Sequence, residues 1–226
     1  YRTGAGRGTI AALMEGRYGT PEAPLTYKRV LDGKEVKSPN AGCGGMMRVL
    51  PSAVLYPDIE QVFDSACRIA AMTHGHPDAM YGSGAVAVLL HQTLAGKGIR
   101  HALNIADKTL AAQDTPDTNP LRQAFHRACA MAVRNPMDMG TINDLPRELG
   151  FAWEDAAFTS TPVWAQVVYT LASLETARMR PNPENFKSAM RLAANHTGDS
   201  DSVAAIVGQV LGAAHGPACL PSDWLN

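Results

Sequence analysis

The sequence has no surplus of charge of either sign: 20 lysines and arginines face 21 aspartates and glutamates, for a formal net charge of -1. That balance supplies no basic field for nucleic acid and no polybasic anchor for a membrane, so an anionic ligand has to be held by local groups. Long apolar runs are missing as well. The longest, such as residues 85–90, fall far short of the roughly 20 residues a bilayer-spanning helix needs, and no charged-then-apolar leader opens the chain, so a soluble protein is expected. Cysteine is scarce: Cys43, Cys67, Cys129 and Cys219 lie far apart, without CxxC spacing. In a chain of this size that argues against a disulfide scaffold and against structural zinc, and it predicts reduced thiols in a cytoplasmic setting.

What is present is enough apolar surface for one core, 46% hydrophobic against 18% charged residues, so a single domain over residues 1–226 is expected. Four stretches carry a helical period. Ile59, Val62, Phe63, Ala66, Cys67 and Ala70 form one stripe, and Leu121, Ala124, Phe125, Ala128, Cys129, Ala132 and Val133 a second. Val163, Val167, Val168, Leu171 and Leu174 form a third, and Phe186, Ala189, Met190 and Ala193 a fourth behind an Asn182 cap and Pro183. Residues 82–90 and 203–212 mix small and aliphatic side chains, as helices packed on most sides do. No segment alternates convincingly with period two. Residues 16–51 and 135–162, rich in Gly and Pro, read as long surface loops, and residues 1–8 as the middle of another. The predicted fold is all-α, an orthogonal multi-helix bundle with functional loops at one end.

Three strings carry chemistry. Asn195, His196, Thr197, Gly198, Asp199, Ser200, Asp201 and Ser202 run straight into the 203–212 helix. Two carboxylates and a hydroxyl within four residues are hard oxygen donors suited to Mg²⁺, Mn²⁺ or Ca²⁺, or they are a helix cap with acidic residues in the first turn. An EF-hand is not supported, because Val203, Ala204 and Ile206 continue a helical pattern. In the second string, Gly42, Cys43, Gly44, Gly45, Met46, Met47 and Arg48, three glycines let backbone N–H groups approach a pyrophosphate; the alternative is a flexible turn with Arg48 in a structural ion pair. No Gly-Lys-Ser/Thr follows, so it is not a Walker loop. Cys43 is either a nucleophile or an unreactive small residue, with no histidine partner fixed by the sequence. The third string is Thr73, His74, Gly75, His76, Pro77 and Asp78. Two histidines at that spacing point apart on a helix, so a loop that aims one imidazole at a ligand while Pro77 opens the next helix fits better than zinc.

Together and in this order, the strings GCGGMMR, THGHP and NHTGDSDS followed by AAIVGQVLGA resemble the signatures of the ADP-ribosylglycohydrolases, the family of the dinitrogenase reductase-activating glycohydrolase and the ADP-ribosyl-acceptor hydrolases. The resemblance runs from Gly8 and Thr9 to Trp224. It implies an all-α fold holding two divalent ions, Mg²⁺ or Mn²⁺, that grip the terminal ribose of ADP-ribose and cleave its bond to a protein side chain. Carried over, Asp199, Asp201 and Ser202 become metal ligands. Gly42, Cys43, Gly44, Gly45 and His74 line the ADP-ribose cleft, Gly150 and Phe151 border it, and Arg48 holds the glycine loop. No residue is assigned as the catalytic group. Partners are then ADP-ribose or an ADP-ribosylated protein, without nucleic acid or membrane.

Family members carry an early segment with further acidic metal ligands, and no counterpart stands in this sequence, so the expectation is an N-terminally incomplete chain with the dinuclear site made whole only in the complete protein. Asp78 is the first substitute ligand to consider. The leading function is metal-dependent removal of ADP-ribose from modified side chains, arginine foremost; the alternative is a non-catalytic ADP-ribose binder or immunity-like blocking protein.

Overall fold

The computed structural model describes residues 7–31, 34–151 and 159–225. Helix α1 (Arg7–Glu15) precedes an antiparallel hairpin of β1 (Thr26–Leu31) and β2 (Lys34–Pro39), then a 3₁₀ turn over Cys43–Arg48. The helices α2 (Leu50–Leu55), α3 (Ile59–Ala71), α4 (Pro77–Leu94), α5 (Ile99–Ala111), α6 (Asn119–Arg134), α7 (Met139–Glu148), α8 (Ser160–Thr176), α9 (Pro183–Asn195) and α10 (Ser200–His215) follow, with two short 3₁₀ turns at the C-terminal end. The fold is all-α but for the hairpin. No helix among the described residues is long and apolar enough to cross a membrane.

Two helices form the centre. α4 and α8 are buried along most of their length, and α8 carries Trp164 and Tyr169 with no exposed surface. α3 and α5 pack against α4, α6 against α8, and α10 contacts both central helices, with α9 packed against α10 and α8. The amphipathic stripes of α3, α6 and α9 turn inward as their periods predict, because each such helix has one apolar face to cover; the exception is Val133 at the end of α6, which is exposed. Local signals set the starts. Asn182 Oδ1 accepts from Asn185 N at 2.8 Å, and Pro183 occupies the first helical position, where a missing N–H costs nothing. His76 does the same for α4, its Nδ1 accepting from Asp78 N at 3.2 Å ahead of Pro77.

The small residues of α4 let α3 approach. A Cβ built on Gly84 would stand 2.6 Å from the Phe63 ring, so the two helices touch where no side chain intervenes.

Several expectations fail. Residues 16–51 are not one loop, since β1 and β2 pair in register from Thr26↔Pro39 to Leu31↔Lys34. The alternation is real but faint: Tyr27, Val36 and Ser38 are half-buried while Thr26, Lys28, Glu35 and Lys37 are exposed. Only two residues separate the strands, and their sequence, Asp32 and Gly33, is the strongest short hairpin signal. Residues 135–162 likewise contain α7, opened by Asp138, whose Oδ1 accepts from Thr141 N at 2.7 Å. Arg7 and Gly8 begin α1 rather than sit in a loop; residues 1–6 and 152–158 of the expected loops lie outside the described residues. α5 is a further helix that the sequence reading passed over.

Gly84→Ala should lower the stability found by urea unfolding by about 1–3 kcal/mol, since the ring of Phe63 must move. Gly82→Ala on the same helix should be neutral or stabilising by up to about 1 kcal/mol, because its Cβ would meet neighbours only at ordinary contact, 3.5 Å and beyond.

Candidate functional site

The glycine loop is pinned from four directions. Asn40 Oδ1 accepts from Gly42 N at 2.9 Å, and Asn40 O accepts from His76 N at 3.2 Å. On the other side Gly42 forms a bridge with Thr159, and Ser160 at the start of α8 donates through N to Ala41 O and through Oγ to Gly42 O at 3.0 and 3.1 Å. Gln209 of α10 donates to Met47 O at 3.1 Å. Arg48 does not form the ion pair expected of it. Its guanidinium donates to Ile69 O at 2.8 Å and to Thr73 Oγ1 at 2.7 Å, so it closes the C-terminal end of α3, where free carbonyls favour a cation.

His74 follows from that arrangement. The Thr73 hydroxyl accepts from Arg48 and lies 2.7 Å from His74 Nδ1, so it ties the ring to the end of α3. Burial, and then the Arg48 charge, push the imidazole pKa down to about 4, and the ring is neutral at pH 7. The ring faces the glycine loop: a Cβ on Gly44 would stand 3.0 Å from Nε2. Only a glycine fits beneath the imidazole. Gly45 is buried against Ala70 and Ser83.

The same loop meets the start of α10. Cys43 Sγ donates to Asp199 Oδ2 at 2.6 Å and lies 3.4 Å from Ser202 Oγ, across more than 150 residues of chain. Asp199 holds the N-cap position, yet its side chain makes no cap hydrogen bond, so the capping reading fails for this residue. Its pKa is raised, first by burial and then by the neighbouring Asp201 carboxyl, and no cation is among its influences. Asp201 is exposed rather than enclosed, but its carboxyl reaches that of Asp199. Burial and the adjacent Asp199 charge push the Cys43 thiol well up, which makes it a poor nucleophile. Gly42, Cys43, Gly44, Gly45, His74, Asp199, Asp201 and Ser202 therefore meet at one place.

The ADP-ribosylglycohydrolase family model matches residues 1–226. The chain belongs to the ADP-ribosylglycohydrolase family. It is 44% identical over 59 residues to the ADP-ribosylarginine hydrolase Tri1 of Serratia proteamaculans (strain 568), which is 26% of this chain and 16% of that protein. The Tri1 of Pseudomonas putida (strain GB-1), also named an ADP-ribosylarginine hydrolase, matches at 43% over 59 residues, again 26% and 16% of the two chains. A solved ADP-ribosylglycohydrolase-related protein complex superposes with a TM-score of 0.56 at 27% identity, covering 82% of this chain and 54% of the other. The chain thus spans about half the length of that solved relative, and the matched stretch about a sixth of the curated ones.

Within this chain, Gly150 and Phe151 make no hydrogen bond to the cluster among the described residues. Gly150 N donates to Arg147 O and Phe151 N to Pro146 O, so both close the end of α7. Asp78 is also engaged elsewhere, accepting from Thr161 Oγ1 at 2.9 Å. Two supports escaped the sequence reading. Asn143 of α7 accepts from Thr197 N at 2.7 Å and from its hydroxyl, which fixes the loop before Asp199. Gln166 of α8 stands 3.1 Å from Nδ1 of the buried His196. Local patterns hold no signal for either contact, because the partners are 54 and 30 residues away.

A hard cation suits the donors in kind: two adjoining carboxyls and a hydroxyl with no neutralising base. In number they fall short, since no group of three or more His, Cys, Asp or Glu side chains among the described residues gathers as an ion site. A cavity of about 250 Å³ lined by Lys97, Leu174, Phe186 and His215 lies at the far end of α10 and includes none of these residues.

The two buried titrating groups act on stability with opposite signs. His74 is neutral when folded and binds protons more readily unfolded, so stability falls as pH drops from 6.5 to about 4, by up to about 3 kcal/mol. Asp199, with its folded pKa above 3.8, loses stability as pH rises through that raised value. Urea unfolding across pH should therefore show the acid-side loss reduced in His74→Gln, and the loss on raising pH reduced in Asp199→Asn.

Proposed function

We propose that the protein removes ADP-ribose from modified side chains, arginine foremost, at the place where the glycine loop meets the start of α10. The observation that carries this reading is the Asp199 carboxyl, buried against Cys43 of the glycine loop beside a second carboxyl and without a cation. A carboxylate pair left unneutralised is unfavourable for the empty protein and suits a site whose positive charge arrives with a ligand. Family membership and the names of the two Tri1 relatives support the substrate class.

In this reading Asp199, Asp201 and Ser202 would hold Mg²⁺ or Mn²⁺, with water and the ribose supplying further donors of a dinuclear site. A divalent ion there supplies a Lewis acid that polarises a sugar oxygen and acidifies a water. The chain's own groups do the positioning. The 42–45 loop lines the pyrophosphate, with backbone N–H groups other than that of Gly42, which Asn40 takes, and His74, neutral, offers a hydrogen bond without adding charge. Arg48 holds the loop from behind.

The test is release of ADP-ribose by the full-length protein from peptides modified on arginine or serine, with Mg²⁺, with Mn²⁺ and with chelator. Release from the arginine peptide that needs a divalent ion and falls by about a hundredfold or more in Asp199→Ala is expected. ADP-ribose binding without release under any condition would replace this reading with that of a non-catalytic binder.

A further inference from the structure

Residues 26–39 carry four cationic and two acidic side chains in a chain whose formal net charge is -1. They form the β1–β2 hairpin, whose two faces differ. Tyr27, Val36 and Ser38 share the inner face and are half-buried; the Tyr27 hydroxyl donates to Thr73 O at 3.4 Å. Lys28 and Lys37 stand directly opposite each other on the outer face, both exposed. Like charges placed so oppose pairing of the strands. Glu35, on the same face, offsets one of them, 2.8 Å from Lys28 Nζ, and Lys37 has no acidic partner among the described residues. The nearby Glu15 and Arg17 pair with each other and leave this excess in place.

The hairpin is also joined to the site. Only Asn40 and Ala41 separate the end of β2 from Gly42, and Asn40 ties that junction to both Gly42 and His76. Tyr27 leans on the carbonyl of the residue before His74. The hairpin is thus the neighbour of the glycine loop along the chain.

We propose that the outer face of this hairpin, carrying Lys28 and Lys37, is a docking surface for an acidic stretch of the ADP-ribosylated protein beside its modified side chain. The inference rests on the activity proposed above and adds a preference to it. Lys37, without an acidic partner among the described residues, and Lys28, shared with Glu35, leave an exposed positive excess that attracts a carboxylate-rich segment, speeds its arrival and loses that advantage in salt. The small ADP-ribose ligand, held by the glycine loop, is indifferent to them.

Fluorescence anisotropy with the full-length protein tests this, using labelled ADP-ribosyl-arginine peptides with acidic, neutral or basic flanks and free ADP-ribose as competitor. The acidic peptide should bind about tenfold more tightly than the neutral one at low ionic strength, with the gap closing as salt is added. The Lys28→Glu, Lys37→Glu double variant, and Lys37→Ala in lesser degree, should lose the preference while free ADP-ribose competes as before. Equal binding of the three peptides alongside normal competition by ADP-ribose overturns the docking surface and leaves the proposed activity standing. A preference that survives in the double variant overturns it as well, and failure of ADP-ribose and all peptides to bind overturns both.

Discussion

Asp199 places its carboxyl in the protein interior, 2.6 Å from the Cys43 thiol, and this contact joins two ends of the chain that share no local structure. Around it the glycine loop is held by the ends of helices: the close of α3 through Arg48, the start of α8 through Ser160, and α10 through Gln209. Each of these holds backbone carbonyls of the loop or of its neighbour, and of the loop's own N–H groups that of Gly42 is taken by Asn40 Oδ1. The buried helices α4 and α8 provide the rigid base from which these ends project.

The electrostatics of the site run against stability. A buried carboxyl beside a second one, and an imidazole held neutral, are arrangements that a protein selected for stability alone would replace with apolar groups or ion pairs. A thiol is a weak donor and does little to offset the carboxylate charge. What the arrangement gains is a place where incoming positive charge is favoured, although the chain as a whole has almost no net charge.

Much of this was legible in the sequence. The stripes of α3, α6 and α9, the Asn182 cap and the Pro77 start follow from periodicity and capping chemistry that act within one or two turns, and the structure keeps them. The strings around Gly42, His74 and Asp199 marked residues that do meet in space. The hairpin went unseen because its inner face offers Tyr27, Val36 and Ser38, too weakly apolar to make a period of two stand out. Asn143, Gln166 and Ser160 were invisible for another reason: their roles arise from tertiary placement, and a polar residue on a helix carries no mark of what it will face. Capping was the ordinary reading of Asp199, and it failed because the buried thiol draws the carboxyl away from the helix backbone.

The central claim is that the glycine loop, His74 and the start of α10 form one ADP-ribose site. A titration of ADP-ribose into ¹⁵N-labelled full-length protein, followed by amide chemical shifts, tests it directly. The account predicts that the amides of Gly42, Gly44, Gly45, His74 and Asp199 shift together along one saturating curve while those of Lys97 and His215, at the other end of α10, stay in place. Shifts confined to the cavity lined by Lys97 and His215, with the glycine loop unmoved, would contradict it.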